Sequence, residues 1–337
     1  MSTRRASVGG FATGDTLRDR CRGCLLGTAV GDALGAPGEF LSADAIRSRF
    51  GPAGITHLHP WDGFSRGSFT DDTQMALATA EGLVRAELMA QAGGPYDPVA
   101  GVLPCYIAWH DSQADPRQRR HPGHTCMTAL RAVKLGHSGP AVNLSKGCGG
   151  VMRAAPVGLA RPRRPAFSLG ADLAALTHGH PTGCLSAGFV SDMVRRLVDG
   201  ATLPQAVEGS VIELCRHDAN EETLSAVQQA LELVARPEVD AEAALLRLGE
   251  GWVGEEALAL SLFCVLRHPS DWRAAAVLAV NHDGDTDSTG AITGAILGTA
   301  LGVGAIPAEW AVAVEDGGRI LALADELWRL SAAEAGS

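Results

Sequence analysis

Phe69-Thr70-Asp71-Asp72-Thr73 and His282-Asp283-Gly284-Asp285-Thr286-Asp287-Ser288-Thr289-Gly290 are two acidic Thr/Asp clusters, more than two hundred residues apart in one chain. Each stands directly before a long run of helical character. Alone, Thr70 to Asp72 would be an ordinary helix start, because Thr and Asp there accept backbone N–H bonds and complement the helix dipole. A second acidic start at Asp285 to Ser288 is harder to explain by capping, since nearby carboxylates repel unless a cation intervenes. Carboxylate and hydroxyl oxygens are hard ligands, suited to Mg²⁺, Mn²⁺ or Ca²⁺ rather than zinc or copper. The clusters read as two halves of one divalent-metal site. If they share a metal they must meet, which calls for one compact all-α domain.

The sequence around the clusters agrees with that class. Asp15 can cap a helix running to about Leu34. After Asp72, the apolar positions Met75, Leu77, Ala78, Leu83 and Val84 recur with a spacing near 3.6. Further helices are expected over Pro98 to His110, Thr125 to Leu135, Ser168 to Thr177, Pro181 to Val198 and Leu203 to Cys215. Others are expected over Glu221 to Val234, Glu255 to Leu266, Asp271 to Val280, Thr286 to Leu301 and Gly318 to Leu330. Strand alternation is scarce, and no fixed-period repeat suggests a solenoid. Residues 1–14 read as a flexible tail, leaving a single domain over 15–335.

Composition narrows the function. Lys+Arg is 28 against Asp+Glu 38, a net charge of −10, opposite in sign to that of most nucleic-acid binders. The N-terminal residues lack the apolar stretch of a secretory signal, and Ala291 to Ile306 is too short and Gly-rich to span a membrane. A cytoplasmic protein is expected. The eight cysteines lie mostly among apolar neighbours, as buried thiols do, and the lone Cys21-x-x-Cys24 lacks partners for zinc.

Three further elements can carry chemistry. Gly31-Asp32-Ala33-Leu34-Gly35 precedes Glu39, a proton-transfer candidate if it projects into the metal site. Ser145 to Arg153 (SKGCGGVMR) is a Gly-rich loop before an apolar segment; it can offer N–H groups to phosphate oxygens or be a plain turn. His178, in Thr177-His178-Gly179-His180, reads as a ligand-contacting or hydrogen-bonded side chain, and Pro122-Gly123-His124 can line the same pocket. Arg117, Arg119 and Arg120 read as a solvated loop, with contact to a target protein the second reading, and Arg161, Arg163 and Arg164 read as solvated too.

Taken together the motifs resemble the ADP-ribosylglycohydrolase family. The resemblance rests on GTAVGDALGAPGE (27–39), FTDDTQM (69–75), PGHTCMTAL (122–130), KGCGGVMRAAP (146–156), Thr177-His178 and NHDGDTDSTGAITG (281–294), in the family's order. It implies a single-domain orthogonal helical bundle with a binuclear Mg²⁺ or Mn²⁺ site in a central cleft. By matching positions, Thr70, Asp71, Asp72, Asp285, Asp287 and Ser288 would be metal ligands. Glu39 would be the catalytic acid/base, with Asp72 the second choice. Gly123, Gly147, Cys148, Gly149, Gly150, Val151, Met152 and His178 would bind ADP-ribose. The extra carboxylate of Asp283 would bear on metal preference or outer-shell bonding. The implied activity is hydrolysis of the bond between ADP-ribose and an acceptor, foremost arginine on a protein. O-linked serine or O-acyl conjugates and a non-catalytic ADP-ribose binder are the alternatives. An isoprenoid-synthase-like enzyme is disfavoured because Gln74, Met75 and Ala76 leave Asp71-Asp72 without a downstream acid.

Overall fold

A computed structural model describes residues 14–160 and 163–333. The first helices are α1 (Gly14–Gly35), α2 (Ala43–Phe50), α3 (Asp71–Gln91), α4 (Pro98–Ser112) and α5 (His124–Lys134). After a Gly-rich loop come α6 (Ala155–Leu159), α7 (Ala166–Ala175), α8 (Pro181–Val198), α9 (Leu203–Leu214) and α10 (Glu221–Val234). The chain continues through α11 (Ala241–Leu248), α12 (Gly254–Arg267), α13 (Trp272–Ala279), α14 (Thr286–Leu301), α15 (Ala308–Ala313) and α16 (Gly317–Ala333). Among the described residues there is no sheet, only isolated bridges at Trp61–Phe64 and Gly147–Val253. The expected tail over residues 1–14 lies outside the described residues except for Gly14, which opens α1.

The architecture is organised by α1 and α14, which run antiparallel with their backbones in contact. Glycines recur every fourth residue on both: Gly23, Gly27 and Gly31 face Gly298, Gly294 and Gly290, and Gly35 faces Thr286. A Cβ on any of these α1 glycines would fall far inside van der Waals contact with the carbonyl opposite. Only hydrogen atoms at these positions let the two backbones meet. α14 is buried on every side from Thr286 to Thr299, as befits a helix apolar around its whole circumference. Its Ile292, Ile296 and Leu297 each contribute about 1.5–3 kcal/mol by burial. Trp272 closes one flank, its indole N–H donating to Gly294 O at 3.2 Å.

The remaining helices wrap this pair. Local chemistry starts many of them: Ser42, Asp97, Asp240 and Asp271 cap α2, α4, α11 and α13, and Thr202 with Gln205 forms a capping box on α9. α16 is fastened to α1 by Arg18 and Arg22, both on Asp325, at 2.6 and 2.7 Å. No helix among the described residues is long and apolar enough to cross a membrane.

Arg120 departs from expectation. It is buried, donating to Phe69 O at 2.8 Å and pairing with Glu315 at 2.6 Å. A guanidinium whose two terminal nitrogens are paired costs less to bury than a lone charge. Arg117 is exposed beside Asp115. Arg164 pairs with Asp172 and Arg163 lies near Glu87 and Tyr96; Arg161 lies outside the described residues.

Candidate active site

The antiparallel α1–α14 contact sets the C-terminal end of α1 beside the N-terminus of α14. Thr286 Oγ1 donates to Gly35 O at 2.8 Å. The segment after α1 stays with α14: Phe40 N donates to Gly284 O at 3.2 Å and Gly284 N to Leu41 O at 3.1 Å. Gly284 adopts φ 101°, a left-handed conformation that glycine takes without strain. Glu39 is thereby carried to the rim of the acidic cluster.

The start of α3 is held from α1 by Asp32, which is fully buried. Its Oδ1 accepts Thr70 N–H at 2.8 Å, and its Oδ2 accepts Thr73 N–H at 2.9 Å and Thr73 O–H at 2.5 Å. Arg120 O accepts Asp71 N–H at 3.1 Å, and Gly123 N–H donates to Asp71 Oδ2 at 3.3 Å. Both acidic clusters therefore face one cavity of about 310 Å³. Glu39, Asp71, Asp72, Asp285, Asp287, Ser288, Gly123, Gly147, Cys148, Gly149, Met152 and His178 line it. Thr70 lies just behind, its hydroxyl capping Asp72 N–H at 3.3 Å. Gly150 and Val151 face the core instead. In a cavity of about 400 Å³ between α3, α4 and α16, Glu81 is paired with Arg319 and Glu315 with Arg120.

The electrostatics are those of an uncompensated acidic cleft. No lysine or arginine is among its lining residues. Asp71, Asp72 and Asp285 are held well above the usual carboxylate range, first by burial and then by the charge of Asp287. Burial and Asp287 push Asp32 up to about 7 and Glu39 up to about 11. Asp72 Oδ2 and Asp287 Oδ1 are sealed from solvent with no hydrogen-bond partner. Orphaned buried carboxylate oxygens are expensive, and a hard divalent cation satisfies them directly. Among the described residues no three His, Cys, Asp or Glu side chains are already drawn to cage spacing. The carboxylates are neighbours around a cleft, and Asp285 meanwhile accepts the Cys148 thiol at 2.9 Å. The donor set fits hard cations, with Cys148 as one soft atom at its edge.

The Gly-rich loop forms a 3₁₀ turn over Cys148–Gly150. Val151 and Met152 donate to Cys148 O, and Cys148 N–H to Trp252 O. Gly149, at the open face of the turn and lining the cavity, has the kind of N–H that a helix start leaves for a ligand. His178 abuts this loop. Burial, reinforced by Arg153, pushes its imidazole down to about 3, so it is neutral. Its Nδ1 lies 2.8 Å from Thr177 Oγ1, which accepts from Arg153 Nη2 at 2.5 Å. The same hydroxyl donates toward Ala174 O at 3.3 Å, and His178 Nε2 lies beside Gly147 and Gly149.

Several site residues escape sequence reasoning. Asp32 was visible only as part of an acidic element. Arg153 is buried against the Tyr106 ring at 4.5 Å, inside what reads as a loop motif. His121 and Asp62 join Glu39 in a hydrogen-bonded chain, and Phe40, 64% exposed, stacks on Trp252 at 5.2 Å beside the cavity. Asp283 turns away from the cleft to accept Ala43 N–H at 2.6 Å, supporting the start of α2.

The sequence matches the ADP-ribosylglycohydrolase family profile over residues 13–336. The chain belongs to the ADP-ribosylglycohydrolase family. It is an enzyme of that class, a hydrolase of ADP-ribose conjugates. It is 30% identical over 309 residues to the ADP-ribosyl-[dinitrogen reductase] glycohydrolase of Rhodospirillum rubrum, covering 88% of this chain and 91% of the relative. Similarity to the ADP-ribosylarginine hydrolase Tri1 of Serratia proteamaculans is 26% identity over 324 residues, covering 94% and 81%. A solved structure described as an ADP-ribosylglycohydrolase-related protein complex superposes with a TM-score of 0.67 at 27% identity, covering 94% of this chain and 99% of the other.

Proposed function

We propose that this ADP-ribosylglycohydrolase cleaves the N-glycosidic bond between ADP-ribose and an arginine side chain of a protein, using two Mg²⁺ or Mn²⁺ ions. Asp71, Asp72, Asp285 and Asp287, with the hydroxyls of Thr70 and Ser288, would hold the ions. The observation that carries the reading is the pair of sealed, unpartnered oxygens, Asp72 Oδ2 and Asp287 Oδ1, facing the same cleft as Glu39. Divalent cations bound there would supply charge stabilisation and orientation to the ribose hydroxyls and a water.

The rest falls to the chain's own groups. Cleavage at the ribosyl carbon passes through an oxocarbenium-like state and needs a proton for the departing guanidine. Glu39, kept protonated by its surroundings, can donate that proton and, once ionised, take one from the attacking water. Asp72 is more deeply buried and better suited to a ligand. The neutral imidazole of His178 and the N–H of Gly149, both lining the cleft, suit diphosphate oxygens. An acidic mouth without lysine or arginine favours a cationic leaving group, and the arginine hydrolase Tri1 is among the relatives. The eight free thiols suit a reducing, cytoplasmic compartment.

The test is ADP-ribose release from arginine-, serine- and acyl-linked substrates, with and without Mg²⁺ or Mn²⁺. Arginine-linked, cation-dependent release is expected. Release that is unchanged in chelator would remove the cations from the reading, and exclusive action on serine-linked substrate would replace arginine.

A further inference from the structure

Glu39 is nearly closed off from water, its side chain 9% exposed. Four carboxylates act on it, those of Asp287, Asp71, Asp32 and Asp62. A carboxyl that must change its ionisation in such surroundings is served by a route along which its proton can exchange with water. One is built into the rim. His121 Nδ1 lies 2.6 Å from Glu39 Oε2, and His121 Nε2 lies 2.9 Å from Asp62 Oδ2. Asp62 is 65% exposed, so the chain runs from the cleft to bulk water in two hydrogen bonds. A neutral imidazole fits it in one sense: the Glu39 carboxyl donates to Nδ1 while Nε2–H donates to the Asp62 carboxylate.

The surroundings hold the ring in this bridging position. Trp61 meets it edge-on at 5.1 Å between centroids, and Phe40 lies at 5.6 Å. The loop behind it is pinned on both sides, Arg120 O accepting Asp71 N–H and Gly123 N–H reaching Asp71 Oδ2. His121 (φ 56°), Asp62 (φ 39°) and Phe40 (φ 67°) all adopt left-handed backbone. Non-glycine residues hold that conformation at a cost, and such outliers gather where geometry serves function. Three at one rim, two of them carrying the hydrogen-bonded chain, point to a constructed feature.

We propose that His121 and Asp62 form a proton outlet for Glu39. In the outward step, the Glu39 O–H bond breaks as an N–H bond forms at His121 Nδ1. The Nε2–H proton passes to Asp62 Oδ2, and Asp62 releases it to water. One proton leaves, Glu39 becomes a carboxylate, and the ring regains its first tautomer by exchanging its N–H protons with bulk water, to which it is 27% exposed. His121 acts through Glu39 and is a positioning residue. The inference rests on the reading of Glu39 as the acid/base of the hydrolysis.

The experiment uses the full-length enzyme with Mg²⁺ and an ADP-ribosyl-arginine substrate, measuring kcat and KM separately. His121→Asn keeps a residue that tolerates left-handed backbone, and His121→Gly leaves room for free imidazole. Both should lower kcat by about 10²-fold with KM within about twofold and melting temperature little changed. Added imidazole should restore much of the rate to His121→Gly and none to His121→Asn. Asp62→Asn should cost less, about tenfold or under, because rim water can replace its carboxylate. Wild-type kcat in His121→Asn would overturn the outlet, as would a slow His121→Gly enzyme that imidazole does not rescue. A wild-type enzyme inactive on every ADP-ribosyl substrate would instead defeat the hydrolase reading on which the outlet rests.

Discussion

The two acidic helix starts reach the same cleft by different physical means. The N-terminus of α14 is placed by shape: Gly290, Gly294 and Gly298 seat its backbone on that of α1, and no side chain intervenes. The N-terminus of α3 is placed by polar bonds: Asp32 accepts three donors from Thr70 and Thr73, and Arg120 and Gly123 secure Asp71. One half of the site tolerates no added volume, and the other tolerates no lost acceptor. Steric placement is unaffected by charge, which suits the half carrying Asp285 and Asp287. Hydrogen-bonded placement leaves the α3 half responsive to its neighbours' ionisation.

The largest effect should come from violating the steric half. Gly31→Val places a branched side chain against Gly290 O and should cost on the order of 3 kcal/mol or more. The expected result is little soluble protein or a sharply lowered melting temperature; a normal melt would show that the helices can part. Next is Asp287→Asn, which keeps volume and removes charge. It should reduce turnover by about 10²-fold or more and abolish stabilisation by added Mg²⁺ or Mn²⁺ in thermal melts, with the fold preserved. Asp32→Asn attacks the polar half. One of its amide faces would oppose donors, leaving Thr73 unsatisfied, for about 1–3 kcal/mol, and weaker cation binding by calorimetry should accompany the loss. An unchanged melt would mean that Arg120 and Gly123 suffice.

The smallest effect concerns a polar fastening remote from the cleft. Arg18 and Arg22 hold the Asp325 carboxyl well below the usual carboxylate range by hydrogen bonding. A depressed folded-state value means that the contribution is present above the unfolded value of about 3.9 and is lost as pH falls below it. Asp325→Asn should therefore flatten the acid limb of the stability profile and change melting above pH 5 only modestly, since both arginines are partly exposed. An unaltered acid limb would assign no stability to this contact.

Sequence legibility followed the same division. Features written in consecutive residues were readable: α8, α10 and α14 span the stretches expected of them, and Met75, Leu83 and Val84 are buried as their period requires. The eight-residue helices α2 and α11 were missed. α2 buries only Ile46, too few apolar positions to reveal a period. The acidic clusters could be expected to share one cleft because short oxygen donors stand together at each helix start. Glu39, His121 and Asp62 could not be connected, because turns with left-handed backbone join residues 59 and 82 positions apart. Arg120 shows the same limit: its partner Glu315 is 195 residues away, and a run of arginines looks solvated until that acid is found.

The glycine seam between α1 and α14 also constrains how the chain is made. Gly31 and Gly290 lie 259 positions apart (290 − 31), so the first helix leaves the ribosome long before its mate exists. Until about residue 300 is synthesised, α1 presents a bare backbone groove, and closing so long a loop delays the central contact. The nascent protein must keep that groove from other chains, and a ribosome halted before α14 would release a product without an active site.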